Sequence, residues 1–221
     1  MRTVILVLLL SVAPAAAAQD PPPSVIVTTG SALVRRAPDV AFIALAVETH
    51  AKSPRDAQRQ NTEVMTEVVK QIAGAGIPRD ALKTIGLHLD QEFDNVSGRR
   101  VPRGFAARNT LEVRLDAVER AGELLDTAVQ AGATSINGIR FDLKDRAGAE
   151  REAIRLAVAD ARARAEAAAA GAGRSIDRIL KIEEGGRAEG PRPMMLRAEA
   201  VVVEAGSIDI RAEVTLTVSM R

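Results

Sequence analysis

The 221-residue chain lacks cysteine, tryptophan and tyrosine altogether, and it has only four phenylalanines and two histidines. Without cysteine, disulfide bonds, thiol nucleophiles and cysteine-based zinc or iron–sulfur sites are excluded. So few aromatic side chains cannot build the stacking platforms that bind single-stranded nucleic acid. The formal net charge of +1 provides no overall field that would attract DNA, RNA or anionic lipid. We therefore expect no thiol chemistry and no nucleic-acid partner.

The rest of the composition is that of a folded globular protein. Hydrophobic residues make up 47% of the chain and charged residues 27%, which argues against disorder along the whole length. A chain of this length is able to bury a core without disulfides or metals. We expect a single domain over residues 24–221.

Residues 1–18 are typical of a cleaved signal peptide. Arg2 supplies the positive start, residues 4–10 form a short apolar run, and Ala16, Ala17 and Ala18 provide the small residues before the cut. We place that cut before Gln19, with an uncleaved N-terminal anchor as the alternative. The apolar run is shorter than a membrane span, and no cysteine follows it to carry a lipoprotein anchor. The mature chain is therefore predicted to be periplasmic and to contain no transmembrane segment.

Hydropathy periodicity predicts the secondary structure of the mature chain. A proline-rich lead-in occupies residues 19–23, and strict alternation over residues 208–219 predicts a long C-terminal strand. Residues 84–93 and 104–115 are predicted to form a hairpin around a loop at 95–103. Residues 185–205 are rich in glycine, proline and arginine, which predicts a mobile loop. The predicted order is ββαββαβαββ: an α+β fold in which helices cover one face of a largely antiparallel sheet.

Three features predict where helices begin. Ser53 and Pro54 are typical of a cap and a first helical residue. Residues 116–119 are typical of a capping box, and Asp145 is expected to begin the longest helix, which runs to about residue 170. The predicted buried stripe of that helix consists mainly of alanines.

In the order and spacing of its segments, the chain resembles the SIMPL-domain family of bacterial envelope proteins over essentially all of residues 24–221. That family includes oxidative-stress-defence proteins and periplasmic immunogenic proteins. The residues that carry the resemblance are Val25-Ile26-Val27 with Gly30, Pro38-Asp39, Val47-Glu48, Asn61, Gly76-Ile77, Thr84, Gly104 to Asn109, Ala131-Gly132-Ala133, Ile136 to Ile139, Phe141, and Ala153, Ala157, Asp160-Ala161 and Ala165. The resemblance implies an exported periplasmic protein, α+β subunits that form ring-like or channel-like homo-oligomers in some members, and a link to oxidative stress without an established reaction.

His88, Asp90 and Glu92 are the candidate metal ligands, because they alternate along one face of a predicted strand. However, alternate strand residues lie ~6.8 Å apart, so a row on one strand does not converge on one ion. Arg108 and Arg114 on the partner strand are expected to pair with these acids instead. We therefore expect a solvated, charge-paired face and no metal site.

Three further groups have a simple interpretation and a functional alternative. Arg99, Arg100 and Arg103 surround the hairpin tip, either as an exposed charged turn or as a contact for an anion or lipid headgroup. Met194-Met195 is expected to dock on its own or a neighbouring subunit, and the alternative is an oxidant sink. His50 has no nearby acid–base partner in the sequence and is expected at the surface.

No sequence motif for catalysis is present: there is no nucleophile elbow, no zinc-protease helix and no phosphate-binding loop. We assign no catalytic, cofactor-binding or metal-binding residue, and we do not expect an enzyme. The sequence favours an exported envelope protein that acts through homo-oligomeric assembly or partner contact in stress tolerance. The alternative is a periplasmic module that binds a small molecule or envelope component through the 95–103 and 185–205 loops.

Overall fold

A computed structural model of the chain describes residues 24–185 and 204–221. The predicted order of strands and helices is confirmed. The elements are β1 (Val25–Arg36), β2 (Val40–Ala51), α1 (Pro54–Gly74), β3 (Leu82–Val96), β4 (Arg99–Leu115), α2 (Ala121–Gln130), β5 (Ser135–Asp142), α3 (Arg146–Gly171), β6 (Ile176–Glu184) and β7 (Ile208–Met220). The predicted signal peptide, the proline-rich lead-in, and most of the predicted 185–205 loop, including Met194-Met195, lie outside the described residues.

The α+β fold is confirmed, but the strands form two antiparallel sheets rather than the single sheet that we expected. The terminal sheet has the strand order β1-β7-β6, and the central sheet has the order β3-β4-β2-β5. The two sheets separate at the turn before Val40, because β1 pairs with β7 along its whole length while β2 pairs with β4 and β5. Segments from both ends of the described chain therefore meet in the terminal sheet.

Helices α1 and α2 cover one face of the central sheet. Ser53 caps α1 by accepting a hydrogen bond from the backbone N–H of Asp56, and Pro54 begins the helix, as predicted. The apolar stripe of α1 and one face of α2 pack with inward side chains of β2 and β4 in one core. The buried Asn61 joins the two layers, since its Nδ2 donates to the backbone oxygens of Val47 and Ala107 at 2.8 Å each.

Helix α3 covers the terminal sheet through a stripe of alanines. The buried residues follow one another every fourth position: Ala149, Ala153, Ala157, Ala161, Ala165 and Ala169. These small side chains let the helix backbone approach β1 so closely that a Cβ at Gly30 would overlap the backbone nitrogen of Ala161 and the backbone oxygen of Ala157. Thr28 strengthens this contact, because its hydroxyl donates to the backbone oxygen of Ala161 at 2.9 Å.

Two local predictions differ from the structure. The loop predicted at 95–103 shrinks to a turn at Ser97 and Gly98, because both residues take the positive φ angles that suit a tight hairpin. The capping box predicted at 116–119 is wrong. A short 3₁₀ turn occupies residues 118–120, α2 begins only at Ala121 without a side-chain cap, and Asp116 pairs with Arg114 instead.

Replacing Gly30 with alanine tests the contact between α3 and β1. Gly30→Ala should lower the free energy of unfolding by about 3 kcal/mol, because the added methyl group meets helix backbone that has no rotamer to change. Urea denaturation monitored by circular dichroism measures this loss.

The matched control is Gly122→Ala in α2, where an added Cβ meets nothing within 4 Å. This variant should be as stable as the wild type or up to about 1 kcal/mol more stable, because alanine has the higher helix propensity. Equal stability of both variants would contradict the close approach.

Candidate functional site

The hairpin of β3 and β4 extends beyond the helices that cover the central sheet. The two strands pair from Leu82 with Val113 to Val96 with Arg99, where the turn reverses the chain. Large apolar side chains along the hairpin are exposed, and they are Ile85, Leu87, Leu89, Phe93, Val96 and Val101. Leu87 and Leu89 share one face of β3, and exposed large apolar side chains that lie together are typical of an interaction site.

Apolar residues alternate along β3, a pattern that predicts one buried face, and the structure agrees with this only in part. Leu87 and Leu89 lie opposite Asn109 and Ala107, and therefore on the same face as the buried Leu111. They are nevertheless 61% and 44% exposed, because β3 is the edge strand and the helices pack over β2 and β4. Alternation identified the face correctly, but it does not tell whether a helix covers that face.

The opposite face of the central sheet carries a network of charged side chains. His50 Nδ1 lies 3.0 Å from Glu92 Oε2, and His50 Nε2 lies 3.4 Å from Glu48 Oε1. Residues of β2 and β3 are able to meet because the strand between them, β4, presents only Ala106 and Gly104 at these positions. His50 is half-exposed, as predicted, but the expectation that it has no partner nearby in the sequence is wrong, because Glu48 lies two residues away on the same strand. The shorter contact, with Glu92, comes from β3 and depends on the strand register.

Arg108 completes this network and corrects a predicted pairing. Its Nη1 donates to Glu48 at 2.9 Å, and its Nη2 donates to Asn137 at 2.9 Å. The expected ion pairs of Arg108 and Arg114 with acids of β3 are wrong, because Arg108 reaches across to β2 and β5 while Arg114 pairs with Asp116.

The candidate metal ligands on β3 do not converge. His88 lies opposite Arg108, Asp90 lies opposite Ala106, and Glu92 bonds to His50. Within residues 24–185 and 204–221, no three histidine or acidic side chains are grouped so that they could hold a metal ion. The prediction of a charge-paired face without a metal remains to be tested by titration with zinc, copper or manganese.

The three arginines near the hairpin tip lie on the β4 arm of the hairpin rather than in a loop. The guanidinium of Arg100 stacks over the ring of Phe93, 4.3 Å from its centroid. Arg103 lies 3.9 Å from a carboxylate oxygen of Asp94. Two of the arginines thus have partners on β3, and the anion contact remains the untested alternative to an exposed charged turn.

A groove lies between the first half of α3, the end of β6 and the start of β7. Its volume is about 330 Å³, and charged residues of both signs line it, among them Arg146, Glu150, Glu184, Asp209 and Arg211. The groove also borders Gly185, at the end of the first described segment. Charges of mixed sign select no single class of ligand.

The edges of the two sheets differ in how open they are. On the β1 edge, the backbone N–H of Ser31 donates to Asp160 Oδ2 at 2.9 Å, so a carboxylate from α3 caps the middle of that strand. This hydrogen bond, together with Arg164, lowers the pKa of Asp160. Strand β6 shifts register twice against β7, and the short β5 shifts register against β2.

Strand β3 presents the most open of these edges. Over Gly86–Glu92 it pairs with β4 without a register shift. No side chain of residues 24–185 or 204–221 hydrogen-bonds to the outward backbone of this stretch, which we call the open edge. Unpaired backbone donors and acceptors on a straight edge are a template for another strand.

Comparisons with known proteins cover both sheets. The SIMPL family model, described as a protein of unknown function (DUF541), matches residues 26–218. A 26 kDa periplasmic immunogenic protein of Brucella melitensis is 30% identical over 171 residues, which cover 75% of this chain and 68% of the relative. An uncharacterized protein named YggE from Escherichia coli K12 is 26% identical over 179 residues, which cover 80% of this chain and 73% of the relative. Among the helices that the structure describes, none is long and apolar enough to cross a membrane.

Replacing Asp160 with asparagine tests the cap on the β1 edge through its pH dependence. Because the folded-state pKa of Asp160 lies below its unfolded value, the carboxylate stabilises the fold above the ordinary aspartate pKa of about 3.9. That contribution is lost as the pH falls through the lowered folded-state pKa. Asp160→Asn should therefore be less stable than the wild type at pH 7, and the difference should shrink toward pH 3, as measured by urea denaturation.

Glu166→Gln on the same helix is the control for this measurement. Glu166 forms an exposed ion pair with Arg162, and its replacement should change stability little at either pH. If the Asp160→Asn difference were the same at pH 7 and pH 3, the ionised cap on Ser31 would be refuted.

Proposed function

The chain belongs to the SIMPL family, and on that premise we propose that it is an exported, non-enzymatic protein of the cell envelope. It acts by assembling with copies of itself or by contacting an envelope partner. Its role is in the tolerance of stress, oxidative stress in particular. The location, the non-enzymatic role, the assembly and the link to stress are each supported by different observations.

The periplasmic location is supported by the sequence and by a relative. Residues 1–18 have the charge, the apolar run and the small residues of a signal peptide. A relative that is 30% identical carries the word periplasmic in its name. The absence of cysteine suits an oxidising compartment, since no thiol is present to form incorrect disulfide bonds.

A non-enzymatic role is supported by how the ionisable side chains are arranged. His50, Glu48, Glu92 and Arg108 bond to one another and are open to solvent, instead of lining a buried cleft. The carboxyl groups with lowered pKa are exposed and hydrogen-bonded to capping or helix-surface partners, as with Asp56 and Glu123. Such side chains are typical of a solvated, charge-paired surface.

Assembly is the part of the proposal that the structure supports best, and the hairpin of β3 and β4 carries it. This hairpin exposes Leu87 and Leu89 on one face of the open edge itself. Burying apolar surface and pairing an edge strand are two of the strongest means by which proteins associate. The link to oxidative stress rests on the family resemblance alone.

The groove beside α3 favours a second candidate function, a module that binds a small molecule or envelope component. Its volume of about 330 Å³ lies near the lower end of the range for small-molecule sites. Gly185, the first residue of the predicted 185–205 loop, lines the groove. That loop is one of the two that we expected to bind a ligand. The other loop, at the hairpin tip, contributes no residue to the lining of the groove.

Size-exclusion chromatography with light scattering on residues 19–221 tests assembly. At micromolar concentration we expect a mass at least twice that of the protomer. Replacing Leu87 and Leu89 together with serine should shift the protein toward the monomer, because it removes apolar side chains that are exposed in the single chain. Val129→Ser is the matched control, since Val129 is similarly exposed on α2, away from the hairpin, and its replacement should leave the mass unchanged.

A strict monomer at every concentration tested would refute assembly. A monomer whose melting temperature rises with a small envelope molecule would favour the second candidate instead. For the stress role, a deletion strain should be more sensitive to peroxide, and the wild-type gene should rescue it better than the double serine variant. Equal rescue by both genes would show that stress tolerance does not depend on assembly through the hairpin.

A further inference from the structure

The geometry points to a specific interface for assembly. The open edges of two copies pair antiparallel about a two-fold axis at Leu89 and join their central sheets into one continuous sheet. This inference rests on the proposed function, since it names the surface through which a second copy binds. It commits to another copy of this chain as the occupant of the open edge.

The position of the axis follows from the straight part of β3. Register shifts against β4 occur between Thr84 and Gly86 and again between Glu92 and Phe93. The first shift leaves Ile85 of β3 unpaired, and the second leaves Arg103 of β4 unpaired. Because such bulges disrupt the ladder and increase its twist, a second strand pairs best with the stretch between them. Leu89 is the middle residue of Gly86–Glu92. Two identical stretches that pair over their full length therefore place Leu89 opposite Leu89.

Charges on the outer face agree with this register. With the axis at Leu89, His88 of each copy lies opposite Asp90 of the other, and Glu92 lies opposite Gly86. Opposite pairing of an imidazole and a carboxylate is favourable, and no two acids face each other directly. Moving the axis to Asp90 would place two aspartates opposite each other, and moving it to His88 would place two histidines opposite each other.

Apolar side chains on the helix-covered face agree with the same register. Leu87 and Leu89 are 61% and 44% exposed in the single chain, at the margin of the region that α1 and α2 cover. About the proposed axis, the two Leu89 side chains meet. Each Leu87 lies directly opposite Gln91 of the other copy and diagonally beside its Leu89. The four leucines then form an apolar strip that continues the core across the junction.

The other edges are less suited to this pairing. Asp160 occupies the Ser31 N–H on the β1 edge, and β5 and β6 are interrupted by register shifts. The open edge is longer than the regular stretches of β5 and β6, and the described residues leave its outward backbone uncapped.

Cysteine cross-linking tests the register directly, because the natural chain contains no cysteine that could interfere. Leu89→Cys in the protein of residues 19–221 should form a disulfide-linked dimer under mild oxidation, since directly opposite Cβ atoms lie about 5 Å apart. Leu87→Cys and Gln91→Cys should each remain monomeric when oxidised alone, because each would lie ~14 Å from its own counterpart. When these two variants are mixed, residues 87 and 91 become directly opposite and should cross-link.

Two controls and three outcomes decide the question. Val129→Cys on α2 should not cross-link, and melting temperatures near that of the wild type show that the variants fold. A protein that light scattering finds assembled, but that fails to cross-link at Leu89→Cys and in the mixture, would overturn this interface and leave the proposed assembly intact. A monomer without cross-links would overturn both. Cross-linking of all variants at the rate of Val129→Cys would show random collision and would also overturn the interface.

Discussion

The backbone contact between α3 and β1 at Gly30 is the constraint on which the terminal sheet depends. The alanines of α3 bury little apolar surface each, so close approach and hydrogen bonds to β1 add to their packing against Val214, Leu216 and Val218 of β7. Thr28 and Ser31 both bond to α3 beside Gly30. Because β1 pairs along its whole length with β7, the same contact also holds the two ends of the described chain together.

This contact also determines which sheet edges stay accessible. By lying close to β1, α3 brings the carboxylate of Asp160 to the Ser31 N–H and closes that edge. Within residues 24–185 and 204–221, no side chain caps the outward backbone of Gly86–Glu92, because α1 and α2 lie mainly over the middle strands of the central sheet. The terminal sheet is thus capped by its own helix on the β1 edge, while the described residues leave the β3 edge of the central sheet and the leucines beside it open.

Local signals in the sequence predicted the elements but not how they meet. Strict alternation over residues 208–219 predicted β7, Asp145 and Ser53 predicted two helix starts, and the ββαββαβαββ order is confirmed. The division into two sheets could not be predicted, because the sequence of the turn before Val40 does not tell whether the next strand pairs with β1 or joins another sheet. The pairing of Arg108 with Glu48 likewise depends on strand register, and the contact of His50 with Glu92 depends also on the small residues Gly104 and Ala106 between them. Exposure of Leu87 and Leu89 depends on where the helices end across the sheet, which periodicity does not encode.

Amide hydrogen exchange, followed residue by residue at two protein concentrations, tests most directly whether a second copy covers the open edge. The outward-pointing amides of Gly86–Glu92 should exchange slowly in the assembled protein and quickly after dilution to monomer. Amides of the same stretch that pair with β4 should be slow at both concentrations, which provides an internal reference. Fast exchange of the outward amides at both concentrations, in a sample that light scattering shows to be assembled, would rule out pairing at the open edge.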